Sequence, residues 1–111
     1  MMELMAFAQE EWPDDHPFRR IGVTPGGIAL PPVWMLGSSG GSARLAGELG
    51  TGYAFAAHFS TTPARPAIDA YRAAFRPSGA FPEPRVILAL SVICAESDDE
   101  AMELGSSVTT M

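Results

Sequence analysis

The stretch PPVWMLGSSGGSARLAGELG, residues 31–50, places an apolar run, a glycine-serine run and a helical pattern in immediate succession. Residues 33–37, VWMLG, form a continuous apolar run, which is typical of a parallel strand buried on both faces. In residues 42–50 the apolar side chains recur at helical spacing, and Gly50 stands where a helix often ends in a left-handed cap. The stretch therefore predicts a strand that leads directly into a helix.

The same order of strand and helix recurs further along the chain. Residues 52–59, GYAFAAHF, predict a second buried strand, and residues 66–75, PAIDAYRAAF, predict a second helix. Residues 85–95, RVILALSVICA, predict a third strand, in which we expect Cys94 to be a small buried apolar group.

A third helix is predicted to open at Ser97, because its spacing to Glu100 matches a capping box. Strands that alternate with helices predict a parallel sheet with right-handed crossovers. The predicted fold class is therefore α/β, with three parallel strand-helix units over residues 33–107.

The N-terminal part of the chain predicts a helix over residues 1–12 and a long irregular connection over residues 13–32, which holds five of the ten prolines. His16, in this connection, is expected to be a solvated loop histidine. With 111 residues, the chain falls within the size of one domain and below the roughly 250 residues of a full eight-stranded α/β barrel. We therefore expect residues 1–111 to form a single segment of one domain.

Composition and charge argue against several classes of partner. The net charge is −6, lysine is absent and the seven arginines are scattered, which argues against nucleic-acid binding. No secretory signal and no apolar run of about 20 residues is found, so we expect no membrane association and a cytoplasmic location. Two histidines and one cysteine, widely separated, do not predict a metal site.

The glycine-serine run between the first strand and its helix has the composition of an anion site. Its glycines allow the backbone to approach a ligand, its serines offer hydroxyl donors, and the N–H groups at the helix start carry partial positive charge. The candidate phosphate-binding residues are Gly37, Ser38, Ser39, Gly40, Gly41 and Ser42. From the residues alone, a short connection with a helix cap is the alternative, because the run matches neither a Walker loop nor GxGxxG.

The stretch PPVWMLGSSGGSARLAGELGTGYAFAAHF, with AIDAYRAAFRPS and PRVILALSVICAESDDEA, resembles the bacterial luciferase-like, flavin-dependent monooxygenases over residues 1–107. The resemblance implies a TIM-type (β/α)8 barrel, of which these strands would be the fifth to seventh. It also implies that reduced FMN, supplied by a separate reductase, and molecular oxygen oxidise a small organic substrate. Ser38, Ser39 and Ser42 map onto the segment that holds the flavin phosphate.

The chain departs from the pattern of that family at two glycines. Gly41 stands where a tyrosine or another side chain is common, and Gly47 stands where alanine is usual. We expect Gly47 to weaken its helix by up to ~1 kcal/mol relative to alanine.

Two further residues near the end of the second predicted strand are candidates for the site. His58 lies where the carboxyl ends of barrel strands face an active site, so it is the candidate catalytic residue for hydrogen bonding or proton transfer. A structural histidine is the alternative. Phe55 is either a wall of the flavin or substrate cavity or part of the core.

The predicted function is thus a fragment of a flavin-dependent monooxygenase that contributes the FMN phosphate-binding corner. A non-catalytic α/β module that binds flavin, another phosphate compound or a partner is the alternative. Three strands cannot close a barrel, so the sheet edges are expected to meet missing barrel segments or a second copy in a homo-oligomer.

Overall fold

The structure, a computed structural model, describes residues 2–9 and 11–109, which fall into two compact units that divide between Val33 and Trp34. The predicted helix over residues 1–12 and the predicted segment over residues 1–111 also include residues 1, 10, 110 and 111, which lie outside the described residues.

The N-terminal unit contains the helix α1 (Met2–Gln9) and one 3-10 turn (Pro17–Arg20). His16 precedes this turn and accepts a hydrogen bond at Nδ1 from the backbone N–H of Phe18, at 3.2 Å. Its ring stacks on Trp12, with centroids 4.1 Å apart. The expectation that His16 is a solvated loop residue is therefore wrong, because the histidine caps the turn and is half-buried among aromatic rings.

The C-terminal unit is built from three consecutive pairs of strand and helix. These elements are β1 (Trp34–Gly37), α2 (Gly40–Glu48), β2 (Gly52–Ala56), α3 (Ala64–Ala74), β3 (Val86–Ala89) and α4 (Asp98–Thr109). The strands are all parallel and lie in the order β1, β2, β3. The prediction of three parallel strand-helix units, preceded by a helix and a long connection, is confirmed.

The strands are shorter than their apolar runs. β3 ends at Ala89, which pairs with Ala56, the last residue of β2, so the residues that follow have no backbone partner on that strand. Cys94 is consequently exposed, and the expectation that it is buried is wrong. Among the described strands only β2 has a neighbouring strand on both sides, because β1 and β3 each have one neighbour.

Alternation along the strands divides the sheet into two different faces. On one face, Tyr53 and Phe55 of β2 pack against α2 and α3, and Met35 and Val86 from the neighbouring strands lie beside them. The buried cluster on this face consists of Ala43, Ala46, Tyr53, Phe55, Ala67 and Tyr71. This face forms the core of the unit.

The opposite face of the sheet is apolar and largely uncovered. Trp34 is 39% exposed, Leu36 is 61% exposed and Ile87 is 47% exposed. The strand register places all three on this face, since Leu36 and Ile87 both pair with Ala54, and Trp34 lies two residues before Leu36. The unit thus presents an apolar surface on the side of the sheet away from α2 and α3.

Helix α2 ends as its sequence predicts. Gly50 has φ of +64°, and its N–H donates to the carbonyl of Gly47 at 3.1 Å. The N–H of Thr51 donates to the carbonyl of Ala46, also at 3.1 Å. These two bonds form a Schellman motif, so the prediction that Gly50 is the left-handed cap is confirmed.

The predicted capping box of α4 is present in part. Ser97 Oγ accepts the backbone N–H of Glu100 at 3.2 Å, while Glu100 Oε2 accepts the N–H of Glu96 at 3.1 Å. The carboxylate therefore reaches one residue before the serine rather than the serine itself. Within the described part of the chain, no helix is both long enough and apolar enough to cross a bilayer.

Tyr71, on α3, connects the amino ends of β2 and β3. Its hydroxyl donates to the carbonyl of Thr51 at 2.9 Å and accepts the backbone N–H of Arg85 at 3.1 Å. Burial raises the pKa of the Tyr71 hydroxyl, and the hydrogen bond from Arg85 lowers it by less. The neutral phenol is therefore the form that the fold stabilises.

Gly47→Ala tests how closely α2 approaches α3. A Cβ at position 47 would lie 2.6 Å from the carbonyl oxygen of Tyr71, so we expect a loss of about 1–3 kcal/mol in the free energy of unfolding. Gly41→Ala in the same helix is the control, because a Cβ there would meet only Ser39 Oγ, at 3.9 Å. Denaturant unfolding of both variants measures the difference, and equal stability would contradict the close approach.

Tyr71→Phe tests the buried phenol. We expect a loss of about 1–3 kcal/mol at pH 8, because the variant leaves the N–H of Arg85 without its acceptor. The raised pKa makes the folded state hold the phenolic proton more tightly, so this stability is fully present below the unfolded pKa of about 10 and is lost as pH rises from there through the higher folded pKa. Unfolding measured from pH 8 to 11 should show this loss in the parent and in Tyr53→Phe, and less of it in Tyr71→Phe.

Candidate functional site

The candidate site lies where β1 and β2 end side by side. Gly37, the last residue of β1, pairs with Phe55, so the loops that follow the two strands leave the same edge of the sheet. We call residues 37–42 together with residues 57–62 the carboxyl-edge corner. The two loops bring the glycine-serine run next to the sequence AHFSTT.

Helix α2 begins at Gly40, two residues earlier than the apolar pattern indicates. Ser39 is the N-cap, with extended backbone (φ −138°, ψ 162°), and its side chain does not accept a hydrogen bond from the first turn. Gly40 and Gly41 are therefore first-turn residues rather than loop residues. The reason is that serine is a favoured N-cap, and the first turn tolerates residues that are unfavourable further inside a helix. The N–H groups of that turn have no acceptor within the helix.

The carbonyl oxygen of Ser39 is a shared acceptor at the start of α2. It accepts the N–H of Ala43 at 3.2 Å, the hydroxyl of Ser42 at 2.9 Å and the phenol of Tyr53 at 3.3 Å. The hydroxyl oxygens of Ser39 and Ser42 are 3.4 Å apart and exposed. Gly37 makes room for this arrangement, because a Cβ there would collide with the side chain of Ser42.

A second group of hydroxyls, which sequence reasoning missed, comes from the loop between β2 and α3. Thr62 Oγ1 donates to the carbonyl of Ser38 at 3.1 Å. Ser60 Oγ lies 2.9 Å from Thr62 Oγ1 and accepts the N–H of Thr62 at 3.2 Å. The signal in the sequence is the run Ser-Thr-Thr shortly after a strand that neighbours the glycine-serine run. The corner thus carries hydroxyl groups from two loops.

The charge of the corner suits an anion. Neither residues 37–42 nor residues 57–62 contain aspartate or glutamate, so no carboxylate of these loops opposes a negative ligand. The partial positive charge at the start of α2 lies in the corner, and the exposed Arg44 stands in the first turns of the same helix. A phosphate therefore fits the donors that the corner offers.

The two other candidates from the sequence have different positions. His58 is exposed, in the turn just after β2, and its ring meets Phe59 edge to face with centroids 4.6 Å apart. It lies at the same edge of the sheet as the corner. Phe55 is fully buried in the core between β2 and the helices α2 and α3. We therefore leave Phe55 out of the site and keep His58 as a candidate.

Comparison with known proteins gives a consistent result. Residues 3–108 match the family described as luciferase-like monooxygenase. A protein of Escherichia coli K12 named luciferase-like monooxygenase is 40% identical over 77 residues, which make up 69% of this chain and 23% of that protein. The uncharacterized protein YceB of Bacillus subtilis is 36% identical over 107 residues, 96% of this chain and 32% of its own length.

A solved structure shows the same fold. The crystal structure of apo-MsnO8 matches with a TM-score of 0.77 and 38% identity, over 95% of this chain and 30% of that chain. The prediction that these strand-helix units are part of a luciferase-like barrel is confirmed by this match together with the family match. The chain spans between 22% and 32% of the length of the relatives it matches.

Proposed function

The chain belongs to the luciferase-like monooxygenase family, and on that premise we propose that it supplies the phosphate-binding corner for FMN in a flavin-dependent monooxygenase. The observation that carries this proposal is the meeting of the α2 N-terminus with exposed hydroxyls at the carboxyl edge of the sheet. Carboxyl ends of strands are where α/β barrels place their active sites. The corner therefore lies at the end of the sheet where a barrel of this kind would hold its cofactor.

The donors of the corner match the chemistry of a phosphate. Backbone N–H groups of the first turn of α2 have no acceptor in the helix, and the helix adds roughly half a positive charge there. The hydroxyls of Ser38, Ser39 and Ser42 can rotate to donate to phosphate oxygens. Ser42 now donates to the carbonyl of Ser39, and that carbonyl keeps two other donors if the hydroxyl turns outward.

When bound, reduced FMN, supplied by a separate reductase in the cytoplasm, would supply the chemistry that reacts with molecular oxygen. The residues of this chain hold and orient it. His58 is exposed at the same edge, so it is the residue we propose for hydrogen bonding or proton transfer to the flavin or to a small organic substrate.

The uncovered face and edges of the sheet bear on the whole protein. Trp34, Leu36 and Ile87 would be exposed to water in the C-terminal unit, and among the described residues no strand pairs with the outer edge of β1 or of β3. We propose that further strands of a barrel cover this face and these edges in the working protein. A second copy of the chain is the other structure that could cover them.

A second candidate function follows from these open edges. With three strands in the sheet, the unit does not enclose a barrel interior by itself. Without the rest of a barrel, the unit would act as a non-catalytic module that binds flavin, another phosphate compound or a partner.

Ser39→Ala combined with Ser42→Ala tests the phosphate corner. We expect FMN affinity to fall by roughly 1–3 kcal/mol, because hydrogen bonds to a charged phosphate are lost, while affinity for riboflavin stays the same. Flavin fluorescence titrations measure both constants. Ser107→Ala, an exposed change of the same type on α4, serves as the control. Unchanged FMN affinity in the double variant would refute the proposal that the corner binds the FMN phosphate.

Turnover distinguishes the enzyme from the binding module. The chain is mixed with reduced FMN, oxygen and a long-chain aldehyde, and light emission and loss of aldehyde are recorded. We expect both to depend on the chain if it acts as an enzyme. Saturable flavin binding with no loss of aldehyde would favour the non-catalytic module, and His58→Asn should lower turnover more than FMN affinity only in the first case.

A further inference from the structure

Thr62 joins the two loops of the carboxyl-edge corner through one hydrogen bond. Its hydroxyl, on the loop after β2, donates to the backbone carbonyl of Ser38, which lies 24 residues earlier. The donor of this bond lies outside residues 37–42, and its acceptor lies within them. We propose that Thr62 is a positioning residue that fixes the backbone N–H of Ser39 for binding the flavin phosphate. This inference rests on the proposed function.

The first step concerns the peptide unit between Ser38 and Ser39. In a trans peptide the carbonyl and the N–H point in opposite directions. Because the carbonyl of Ser38 points toward Thr62, the N–H of Ser39 points away from Thr62. The hydroxyl of Thr62 thus sets the direction of a backbone donor that it does not touch.

The second step concerns where that donor points. Ser39 has extended backbone, in which the N–H and the carbonyl of one residue lie on the same side of the chain. The carbonyl of Ser39 faces the hydroxyl of Ser42. The N–H of Ser39 therefore lies on the same side of the chain as the hydroxyl of Ser42, and the hydroxyl oxygen of Ser39 is 3.4 Å from that hydroxyl.

The third step concerns how Thr62 is held. Ser60 Oγ accepts the N–H of Thr62 at 3.2 Å and donates to the carbonyl of Thr62 at 3.3 Å, and it lies 2.9 Å from the hydroxyl oxygen of Thr62, which donates to Ser38. The N–H of Ser60 in turn donates to the carbonyl of Ala56, the last residue of β2, at 3.2 Å. A chain of bonds therefore connects the end of β2 to the peptide that carries the donor.

Loss of the Thr62 hydroxyl should affect only the phosphate part of the flavin. The peptide between Ser38 and Ser39 would be free to rotate, and its N–H would no longer be aligned in advance with the hydroxyl pair. Riboflavin, which has the same ring system but no phosphate, gains nothing from that alignment. The ratio of riboflavin and FMN dissociation constants is therefore the quantity to measure.

The experiment compares three variants of the full chain. Thr62→Val removes the hydroxyl and keeps the shape, Thr62→Ser keeps the hydroxyl, and Thr24→Val makes the same change as the first at an exposed threonine of the N-terminal unit. Fluorescence titration gives the dissociation constants for FMN and riboflavin, and thermal unfolding reports on the fold. We expect Thr62→Val to lower the preference for FMN by roughly three- to thirty-fold. Thr62→Ser and Thr24→Val should keep it.

Each other result has a distinct meaning. If Thr62→Val keeps the parent's preference for FMN, the positioning role is refuted while the phosphate corner stands. Equal weakening of FMN and riboflavin also refutes it, since Thr62 would then act on the fold alone. A parent chain that does not prefer FMN over riboflavin refutes the phosphate corner itself, and the role of Thr62 falls with it.

Discussion

The stack of Tyr53 on Tyr71 is the interaction on which the C-terminal unit depends. Both side chains are fully buried, and their ring centroids lie 5.5 Å apart between the sheet and its helices. Their hydroxyls point to opposite ends of the sheet. The phenol of Tyr53 reaches the carbonyl of Ser39 at the carboxyl edge, and the phenol of Tyr71 reaches Thr51 and Arg85 at the amino ends of the strands. One aromatic pair therefore fills the core and forms hydrogen bonds at both the carboxyl and the amino ends of the strands.

The carboxyl-edge corner is built from neutral donors rather than from cations. Its positive potential comes from the start of α2 and from hydroxyls, and the two loops contain no carboxylate that would oppose it. Many of the hydrogen bonds within the corner are accepted by two carbonyl oxygens, those of Ser38 and Ser39. Satisfying these acceptors matters because a bare carbonyl oxygen beside a phosphate would repel it. The same bonds that order the loops thus make them compatible with an anion.

Local sequence patterns predicted the features that depend on a few neighbouring residues. The alternation of strand and helix, the left-handed Gly50 and the capping box at Ser97 all follow from short-range spacing. Features set by pairing across the fold were missed. The length of β3 depends on where β2 ends, so the apolar run around Cys94 was misleading.

The candidate site shows the same division. The serines and glycines of residues 37–42 were found because they are contiguous, whereas Thr62 was missed because its partner lies far away in the sequence. Whether Phe55 faces the helices or a cavity depends on the register of the sheet, which periodicity alone does not give.

At the amino edge the hydroxyl of Tyr71 is buried, and at the carboxyl edge the bonds of Thr62 and Ser42 are exposed to water. Water can hydrate a carbonyl that loses a bond at the carboxyl edge but cannot reach one at the amino edge, so the amino edge carries the stability of the unit and the carboxyl edge carries the alignment of its loops.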